Sequence, residues 1–519
     1  MTILTPVCGL SDYKTILCSL IGAYLFLWVI YARTVHPFAK YPGPFLASVS
    51  RLWIILDVMQ GSAHKTQAEL HKRFGMCSYR LSRPMIRIAP NEVAISDPRA
   101  IKEIYAVNSG FTKTDFYLPW KTKFSRFPDH FSQTDEKAHG QRRKIVNNIY
   151  SMTSVVKSEP LIDVCIELFM ERMNEFAHKG QSIDLATWLQ WYAFDVIGEL
   201  YFSSMFGFMR ERTDYGNYIA SLDTLLPVLC AASVMPTYLR GLFLSSGMLL
   251  SSARKALKAL QNIEQASATC VQERLQSNIV ETDTREDFLG KLLAIHENKG
   301  KEQDFDLANV QTEVYSGLFA GSDTTAAALS SIIYHVLSNP VIYARLTKEI
   351  DEATEAGKLS FPRVKYTEAT KLPYLVACCK EGMRIHPSVG LTLPRVVPTG
   401  GCRIAGQWIP GGLRVGVNAA VVHFNKEIFG EDAEQYNPDR WFRENAVQMD
   451  RHMFQFGGGS RTCIGKNISL CEIQKLVPEI LRTFNITLEA PEKGFRSLNH
   501  WFNKPLALNV VMQRRELNV

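Results

Sequence analysis

A cysteine in a glycine-rich loop is the residue of this sequence best suited to chemistry. Cys463 lies in the stretch Phe456–Gly465 (FGGGSRTCIG), and the residues that follow, Lys466–Ile480, have a helical pattern. Glycines let such a loop approach a flat ligand closely and adopt positive φ angles. A cysteine at the N-terminus of a helix is near free N–H groups and the positive end of the helix dipole, which stabilise its thiolate. Cys463 is therefore a candidate metal ligand, and the alternative is a buried free cysteine, the usual state of this residue type.

A second polar group that could do chemistry lies in the middle of a long helix. Residues Asp306–Ser338 keep one helical period, which Asn339 and Pro340 end. The segment Ala320–Thr325 (AGSDTT) places a glycine and small hydroxyl residues at its centre, and hydroxyl side chains compete for backbone carbonyls and loosen a helix. We expect an opened turn there that holds water and takes a flat ligand against Ala320 and Gly321. The alternative is a polar cluster satisfied by its own neighbours.

The pattern Phe-x-x-Gly-x-Arg-x-Cys-x-Gly around Cys463 should arise by chance in about one chain in ten thousand of average composition. It resembles the signature of the cytochromes P-450, the haem-thiolate monooxygenases. The resemblance implies that Cys463 is the axial ligand of the iron of haem b, with Phe456, Ala320 and Gly321 against the haem. The motif Ala/Gly-Gly-x-Asp/Glu-Thr of the family matches Ala320–Thr324. By that match Thr324 hydrogen-bonds dioxygen and Asp323 relays protons to it.

Three arginines are expected, by the same resemblance, to pair with the haem propionates. Arg461 lies in the cysteine loop, and Arg395 follows Pro394 after an apolar run. Arg143 matches the arginine of a Trp-x-x-x-Arg pattern, in which His139 replaces the tryptophan. The planar donors of a guanidinium suit a carboxylate. For Arg143 the alternative is a solvated basic face.

A further set of charged residues resembles the structural ion-pair network of the family. Glu381 and Arg384 are three residues apart on a predicted helix and therefore share a face. The segment Pro438–Trp441 supplies Arg440. Burying one of these charges without its partner costs several kcal/mol, so we expect the three to act together. Their predicted role is to hold the cysteine loop in place.

The N-terminal part of the chain predicts a membrane anchor. Thr15–Ala32 contains 18 residues and no charge, which is long enough to cross a bilayer. Positive residues follow it at once, which places the body of the protein in the cytosol. The predicted division is a luminal N-terminus (1–14), an anchor (15–32), a proline-containing hinge (33–48) and a catalytic domain (49–519). The alternatives to the anchor are a cleaved signal peptide and a buried core helix.

Composition limits the other possibilities. With 519 residues and 46% hydrophobic content the chain can bury a large core, and its net charge is +7. The sequence contains no long basic run interleaved with aromatic residues, the pattern that would indicate nucleic-acid binding. The 11 cysteines are irregularly spaced, without a C-x-x-C pair, which favours reduced thiols. The implied fold is the cytochrome P-450 fold, mainly α with a small β-rich lobe.

Other segments carry more local expectations. The aromatic stretch Phe111–Gln133 either packs locally or, as in the family, lies over the haem and contacts substrate. Leu225–Leu250 is apolar and expected to break at Pro227 and Pro236; it is either core helix or, by resemblance, a lid that dips into the membrane surface. A short helix is predicted at Asp287–His296, with Glu297–Gln303 as a connector. Cys402–Ile409 and Leu413–Val417 are predicted to be strands around a turn.

The resemblance implies monooxygenation of an apolar small molecule with O2 and NADPH-derived electrons, in the style of fungal secondary-metabolite pathways. The electron donor would be a membrane-bound flavoprotein, NADPH–cytochrome P-450 reductase, with cytochrome b5 as an optional second donor. We expect it to dock through basic residues such as Arg142, Lys144 and Lys466. Two alternatives keep the haem: an isomerase or dehydratase that needs no reductase, and a protein that only binds ligands or carries electrons.

Overall fold

The computed structural model describes residues 10–75, 84–121, 127–247, 251–276 and 287–516. Helices account for most of this part, as the sequence predicts. The α-helices, α1 to α22 in chain order, are Leu10–Thr34, Phe45–Val49, Leu52–Met59, Ala63–Gly75, Arg99–Tyr105, Glu136–Val146, Met152–Lys157, Glu159–Lys179, Leu185–Phe202, Phe208–Glu211, Tyr218–Val234, Thr237–Gly247, Ser251–Gln276, Phe288–Gln303, Leu307–Leu337, Pro340–Glu355, Tyr366–Ala369, Pro373–Ile385, Ala419–Val422, Lys426–Phe429, Ala446–Asp450 and Lys466–Thr483.

The strands form small, separate sheets. They are, β1 to β12, Met85–Ala89, Glu92–Ile95, Thr112–Lys113, Ile183–Asp184, Leu393–Val396, Cys402–Ile404, Gln407–Ile409, Arg414–Val417, Phe484–Leu488, Ser497–His500, Phe502–Pro505 and Asn509–Arg514. The largest sheet has the order β1-β2-β8-β5-β3, in which only β2 and β8 run parallel. The pairs β10–β11 and β6–β7 are hairpins, and β4-β12-β9 form a third sheet.

The long helix α15 is the element around which the core is built. Its first turn is capped by Asp306, whose side chain accepts a hydrogen bond from the N–H of Asn309, and Asn339 caps α16 after it. Buried apolar side chains of α8, α9, α15, α18 and α22 form one core cluster. At Gly382 of α18 an added Cβ would lie 2.4 Å from the side chain of Ile332, so glycine lets α18 pack directly against α15. The predicted helix Asp306–Ser338 is thereby confirmed.

Local expectations were wrong at three places. Pro227 lies inside α11, because buried neighbours such as Leu226 and Leu229 hold the helix together across it; the break falls between α11 and α12. The predicted connector Glu297–Gln303 continues α14, since its lysine and glutamate residues are good helix formers. Cys402–Ile409 is a hairpin, in which Ala405 and Gly406 take positive φ angles, and Arg414–Val417 pairs with β2 and β5 instead.

Other local predictions extend beyond the described residues or only partly match. The sequence also predicts a strand pair, Arg80–Ile88 and Glu92–Ile95, around a turn at Ala89–Asn91. Residues 80–83 lie outside the described part, and Met85–Ala89 forms β1, paired antiparallel with β2. The last three residues of Leu225–Leu250 are also outside it. Within that segment, residues of α11 are buried, whereas Tyr238 and Leu242 of α12 are exposed. The proposed lid therefore stays a prediction.

The N-terminal helix α1 is the best candidate for a membrane span. Two helices in the described part are long and apolar enough to cross a bilayer. Tyr13–Thr34 has a mean hydropathy of 2.0 and is 6% buried, whereas Tyr215–Val234 is 56% buried in the body. The indole N–H of Trp28 donates to the Val49 carbonyl (2.8 Å), so the end of α1 is attached to α2. The expected hinge also contacts the body: the N–H of Arg87 donates to the Pro42 carbonyl (2.7 Å).

Candidate active site

The cysteine loop borders a cavity of about 320 Å³ that α15 closes from the other side. Backbone hydrogen bonds fix the loop: the N–H of Cys463 donates to the Phe456 carbonyl at 2.8 Å. Gly459 has φ +59°, and an added Cβ there would lie 1.8 Å from the carbonyl oxygen of Tyr105. Only glycine fits at this close approach. The loop therefore presents Cys463, Phe456 and Gly465 to the cavity.

The Cys463 sulfur opens onto the cavity in front of helix α22. Burial by the surrounding protein raises the pKa of its thiol. The N–H groups of Gly465 and Lys466 donate to the sulfur and, with the charge of Arg143, act in the opposite direction on this pKa. The expected stabilisation by the start of the helix is thus present, together with a larger desolvation effect. A sulfur held in this way suits a cationic metal, whose charge offsets the desolvation of the thiolate.

Across the cavity lie Ala320, Gly321 and Thr324 of α15. The helix continues through them without interruption. The Thr324 hydroxyl donates to the Ala320 carbonyl (2.9 Å), and the Ser388 hydroxyl donates to the Thr324 carbonyl (2.7 Å). Hydroxyl groups therefore compete for helix carbonyls here, as expected, but the turn is not opened. Gly321 serves partly for packing, since its Cβ would lie 2.5 Å from Ile197 of α9.

Asp323 does not line the same cavity as Thr324. Successive residues of an α-helix point about 100° apart, and Asp323 faces a second cavity of about 500 Å³, together with Gln190 and Lys504. Its Oδ1 accepts a hydrogen bond from the Gln190 amide, and its Oδ2 has no partner among the described residues. Burial raises the pKa of this carboxyl. The two members of the predicted pair therefore face different cavities.

Basic side chains gather at one part of the first cavity. Arg395 of β5 is buried and donates to the Tyr117 hydroxyl (2.9 Å). Arg461 pairs with Glu136 of α6 at 2.8 Å. Arg143, also on α6, faces the cavity, and its guanidinium has no hydrogen-bond partner among the described residues. The three predicted arginines are thus brought together from three distant segments.

Two further residues belong to this basic region: Lys113, which no sequence pattern marked, and His139, which stands in the tryptophan place of the Trp-x-x-x-Arg pattern. Lys113 is buried, donates to the Phe131 carbonyl (2.6 Å) and lies 4.3 Å from the centre of the Tyr117 ring. Burial lowers the pKa of Lys113 well below its usual value. His139 is also buried, and burial lowers its pKa to about 2, so the imidazole is neutral. No spacing or motif marks Lys113, because β3 is only two residues long.

A buried hydrogen-bonded group at the same cavity was also not predictable. His130 Nε2 lies 2.9 Å from Glu313 Oε1. The Tyr150 hydroxyl is 3.3 Å from Glu313 Oε2 and 2.9 Å from the Tyr201 hydroxyl. Gly317 leaves room for Tyr201, because a Cβ there would lie 2.4 Å from that ring. His130 lies in the loop before α6, Tyr150 in the connection between α6 and α7, Tyr201 on α9, and Glu313 and Gly317 on α15. Only the folded chain brings these segments together.

The predicted ion-pair network is formed, and hydrogen bonds connect it to the residues just before the cysteine loop. Arg384 donates to both oxygens of Glu381 (2.8 and 2.9 Å), and Arg440 donates to Glu381 Oε1 (2.8 Å). All three side chains are fully buried. Arg384 also donates to the carbonyl of His423 (2.7 Å), whose Nε2 accepts from the N–H of Phe454 (2.8 Å). The network therefore extends to the residues just before the loop.

Comparison with known proteins agrees with this geometry. The chain matches the family model described as Cytochrome P-450 over residues 42–508. It is 42% identical to the cytochrome P-450 monooxygenase gsfF of Penicillium aethiopicum, covering 95% of this chain and 97% of that protein. It is 36% identical to the monooxygenase cicH of Emericella nidulans (96% and 98% covered) and 34% identical to a pisatin demethylase of Fusarium vanettenii (95% and 92% covered). The chain belongs to the cytochrome P-450 family.

Proposed function

We propose that this haem-thiolate monooxygenase oxidises an apolar small molecule, an intermediate of fungal secondary metabolism such as a polyketide, terpenoid or alkaloid. The observation that carries the proposal is the Cys463 sulfur facing a cavity whose wall beyond the cysteine loop is mainly aromatic and aliphatic. The similar proteins come from fungi, and one of them is named for the demethylation of pisatin. An apolar cavity of this kind binds ligands by burying apolar surface.

Membership of the family implies haem b, O2 and electrons from a reductase. The residues at the cavity fit a haem. The Cys463 sulfur would hold the haem iron, and Phe456, Ala320 and Gly321 would line the haem pocket. Arg461 already pairs with Glu136, whereas Arg143 and Arg395 have no carboxylate partner among the described residues; the two propionates would supply counter-charges to this group of arginines. When bound, the haem supplies the activation of dioxygen, which no side chain of the protein can perform.

The protein's own contribution is to position groups and move protons. The N–H groups of Gly465 and Lys466 hold the Cys463 sulfur in place. Thr324 can exchange its hydrogen bond to the Ala320 carbonyl for one directed into the cavity. Burial raises the pKa of the Asp323 carboxyl, which favours its protonated form. We propose that the carboxyl takes up a proton at Oδ2 from water in the second cavity, and that a rotation of the Asp323 side chain delivers it to the Thr324 side of α15.

The function is tested by turnover with a reductase. Purified protein is combined with NADPH–cytochrome P-450 reductase, NADPH and a panel of polyketide, terpenoid and indole-type compounds. Substrate-stimulated NADPH consumption, with product heavier by one oxygen atom or demethylated, is the expected result. No stimulated consumption with any compound, together with rearrangement of an added peroxide, would instead establish the reductase-independent isomerase or dehydratase.

Replacing Thr324 by alanine should uncouple NADPH use from product formation. The hydroxyl lines the cavity across from Cys463, so its loss removes a group that can direct protons there. We expect NADPH consumption to continue and product per NADPH to fall by about a hundredfold, with peroxide released. Asp323→Asn should slow NADPH consumption itself. Thr324→Ser keeps the hydroxyl and should remain coupled; an equally uncoupled serine variant, or a coupled alanine variant, would contradict this role.

We propose that NADPH–cytochrome P-450 reductase, with cytochrome b5 as a second donor, docks through exposed lysines near the cysteine loop. Lys144 and Lys466 are exposed, whereas Arg142 is engaged with Asp304 (3.3 Å). Charge reversal of both lysines should lower reductase-supported turnover by about tenfold at low ionic strength, because charge complementarity steers encounter. The carbon monoxide spectrum should not change. As a control, Lys255→Glu on α13 should leave turnover intact; equal rates in all variants would reject this docking face.

We also propose a single-pass anchor in the endoplasmic reticulum membrane. Residues 1–14 would be luminal and 15–32 would span the bilayer, with 33–48 as the connection to the catalytic domain 49–519 in the cytosol. Arg33 directly after the anchor supports this orientation. Protease added to intact microsomes should degrade the catalytic domain and spare a tag at the N-terminus. The opposite pattern would reverse the orientation.

A further inference from the structure

Five aromatic side chains from four segments of the chain meet at one part of the cavity. We call Trp120, Phe131, Phe319, Trp501 and Phe502 the aromatic cage. Ring centres are 5.4 Å apart for Trp120–Phe131, 5.2 Å for Phe131–Trp501, 5.6 Å for Trp120–Trp501, 5.9 Å for Trp120–Phe319 and 6.2 Å for Phe319–Phe502. All five line the cavity that Cys463 faces. They belong to a core cluster different from that of Phe456 and Ile464 in the cysteine loop.

The rings do not stack on one another. Trp120 meets Phe131 at 82° and Phe319 at 86°, and Phe131 meets Trp501 at 66°. An edge-to-face contact covers a face of one ring but only an edge of the other, so these five rings do not close the cluster by stacking on one another. A flat aromatic guest can complete such a cluster with further edge-to-face or offset contacts, which a saturated ring cannot make.

The polar atom of Trp120 is satisfied away from the cavity. Its indole N–H donates to the Ser233 hydroxyl of α11 at 2.8 Å, and that hydroxyl donates in turn to the Leu229 carbonyl. The indole is therefore held by a hydrogen bond behind it while its ring borders the cavity. The aliphatic lining beside the cage, which includes Leu229, Val389 and Leu391, adds no hydrogen-bonding groups of its own. This part of the cavity thus selects for ring shape.

Trp501 has a backbone conformation that bulky residues rarely adopt. It lies between β10 and β11, where His500 pairs with Phe502, and its φ is +80°. Such strain persists only where the surroundings impose it, and it is concentrated at ligand-binding sites. The Trp501 carbonyl accepts a hydrogen bond from the N–H of Gly390 (3.3 Å), which ties the turn to the loop beside Val389. The strained turn keeps an indole in the cavity, although a glycine or asparagine would fit the backbone better.

We propose that the aromatic cage binds a planar aromatic ring system, with Trp501 as a specificity-determining residue. The inference rests on the proposed function, because it names the substrate class of the same cavity. The substrate is then an aromatic compound, and a saturated terpenoid of similar size is a poor ligand. Recognition is by ring contacts, which every flat arene offers, so the cage selects a class of compounds and not one member of it.

The test compares two ligands of the same carbon skeleton and the same hydroxyl group. The haem-loaded enzyme is titrated with 2-naphthol and with decahydro-2-naphthol, and binding is followed by the change in haem absorbance and by tryptophan fluorescence. We expect the flat ligand to bind at least about tenfold more tightly, since aromatic contacts add to the burial of apolar area. Equal or reversed affinities would overturn the proposal.

Variants locate the effect. Trp501→Asn removes the ring but tolerates the positive φ, and Phe131→Leu keeps apolar volume without a ring. Each should weaken 2-naphthol binding by about tenfold and change decahydro-2-naphthol binding by much less. The matched control is Trp408→Leu, an exposed tryptophan outside the cavity, which should change neither. Unchanged 2-naphthol affinity in both cage variants would overturn the assignment.

The experiments distinguish a wrong substrate class from a wrong proposed function. The carbon monoxide spectrum and reductase-dependent NADPH oxidation report on the monooxygenase whatever the ligand. A normal spectrum with NADPH oxidation, but no preference for the flat ligand, rejects the aromatic cage alone. Absence of the spectrum in the unmodified protein rejects the proposed function, and the cage proposal with it.

Discussion

The Cys463→Ser variant should completely lose the strongly red-shifted haem absorption band of the carbon monoxide complex. That band requires a thiolate opposite the carbon monoxide, and a serine hydroxyl is far less acidic and much less polarisable. The sulfur occupies a fixed position, because the N–H of Cys463 is bonded to the Phe456 carbonyl (2.8 Å) and those of Gly465 and Lys466 point to it. No other residue of the loop Phe456–Gly465 has a side chain that could replace the Cys463 sulfur as a ligand. The measurement is the reduced difference spectrum after haem reconstitution.

The control for this prediction is a second cysteine. Cys402, on the hairpin β6–β7, is partly exposed and lies outside the cavity. Cys402→Ser should keep the full band and normal turnover. A shifted band that survives in Cys463→Ser, or one that disappears equally in Cys402→Ser, would show that Cys463 is not the ligand.

The elements predicted well from the sequence are those fixed by short spacings. The cysteine loop, the capped helix α15 and the pair Glu381–Arg384 each depend on residues within a few positions of one another. Glycine at 459 has a local reason, since its φ of +59° is a backbone conformation that glycine adopts without strain. For such features the residue types and their spacing carry almost all the information.

What the sequence could not give depends on how distant segments meet. Asp323 and Thr324 were expected to act side by side, but the helix rotation places the carboxyl in the second cavity. Lys113 reaches the basic region only because β3 pairs with β5, which carries Arg395. The positive φ of Trp501 has no sequence signal, since tryptophan is not a residue expected there. Each of these is a consequence of tertiary packing.

Removing Glu381, the centre of the buried ion-pair network, should strongly lower the stability of the protein. Glu381→Leu would leave the guanidinium groups of Arg384 and Arg440 buried without their shared carboxylate. Breaking a buried ion pair in this way costs about 3–5 kcal/mol, a large part of the 5–15 kcal/mol by which proteins are typically stable. Because His423 connects Arg384 to the N–H of Phe454, we also expect the cysteine loop to lose its position.

Thermal unfolding and the yield of the carbon monoxide band measure the two consequences separately. The control is the neighbouring exposed pair of Arg345 and Asp439, whose atoms are 2.6 Å apart and whose side chains are 51% and 54% exposed. Asp439→Leu should cost less than about 1 kcal/mol, because water screens such a pair. If Glu381→Leu unfolded at the same temperature as Asp439→Leu and bound haem normally, the network would not hold the loop. The contrast isolates burial as the cause, since each variant replaces one ion-paired carboxylate by leucine, and Glu381 is fully buried whereas Asp439 is largely exposed.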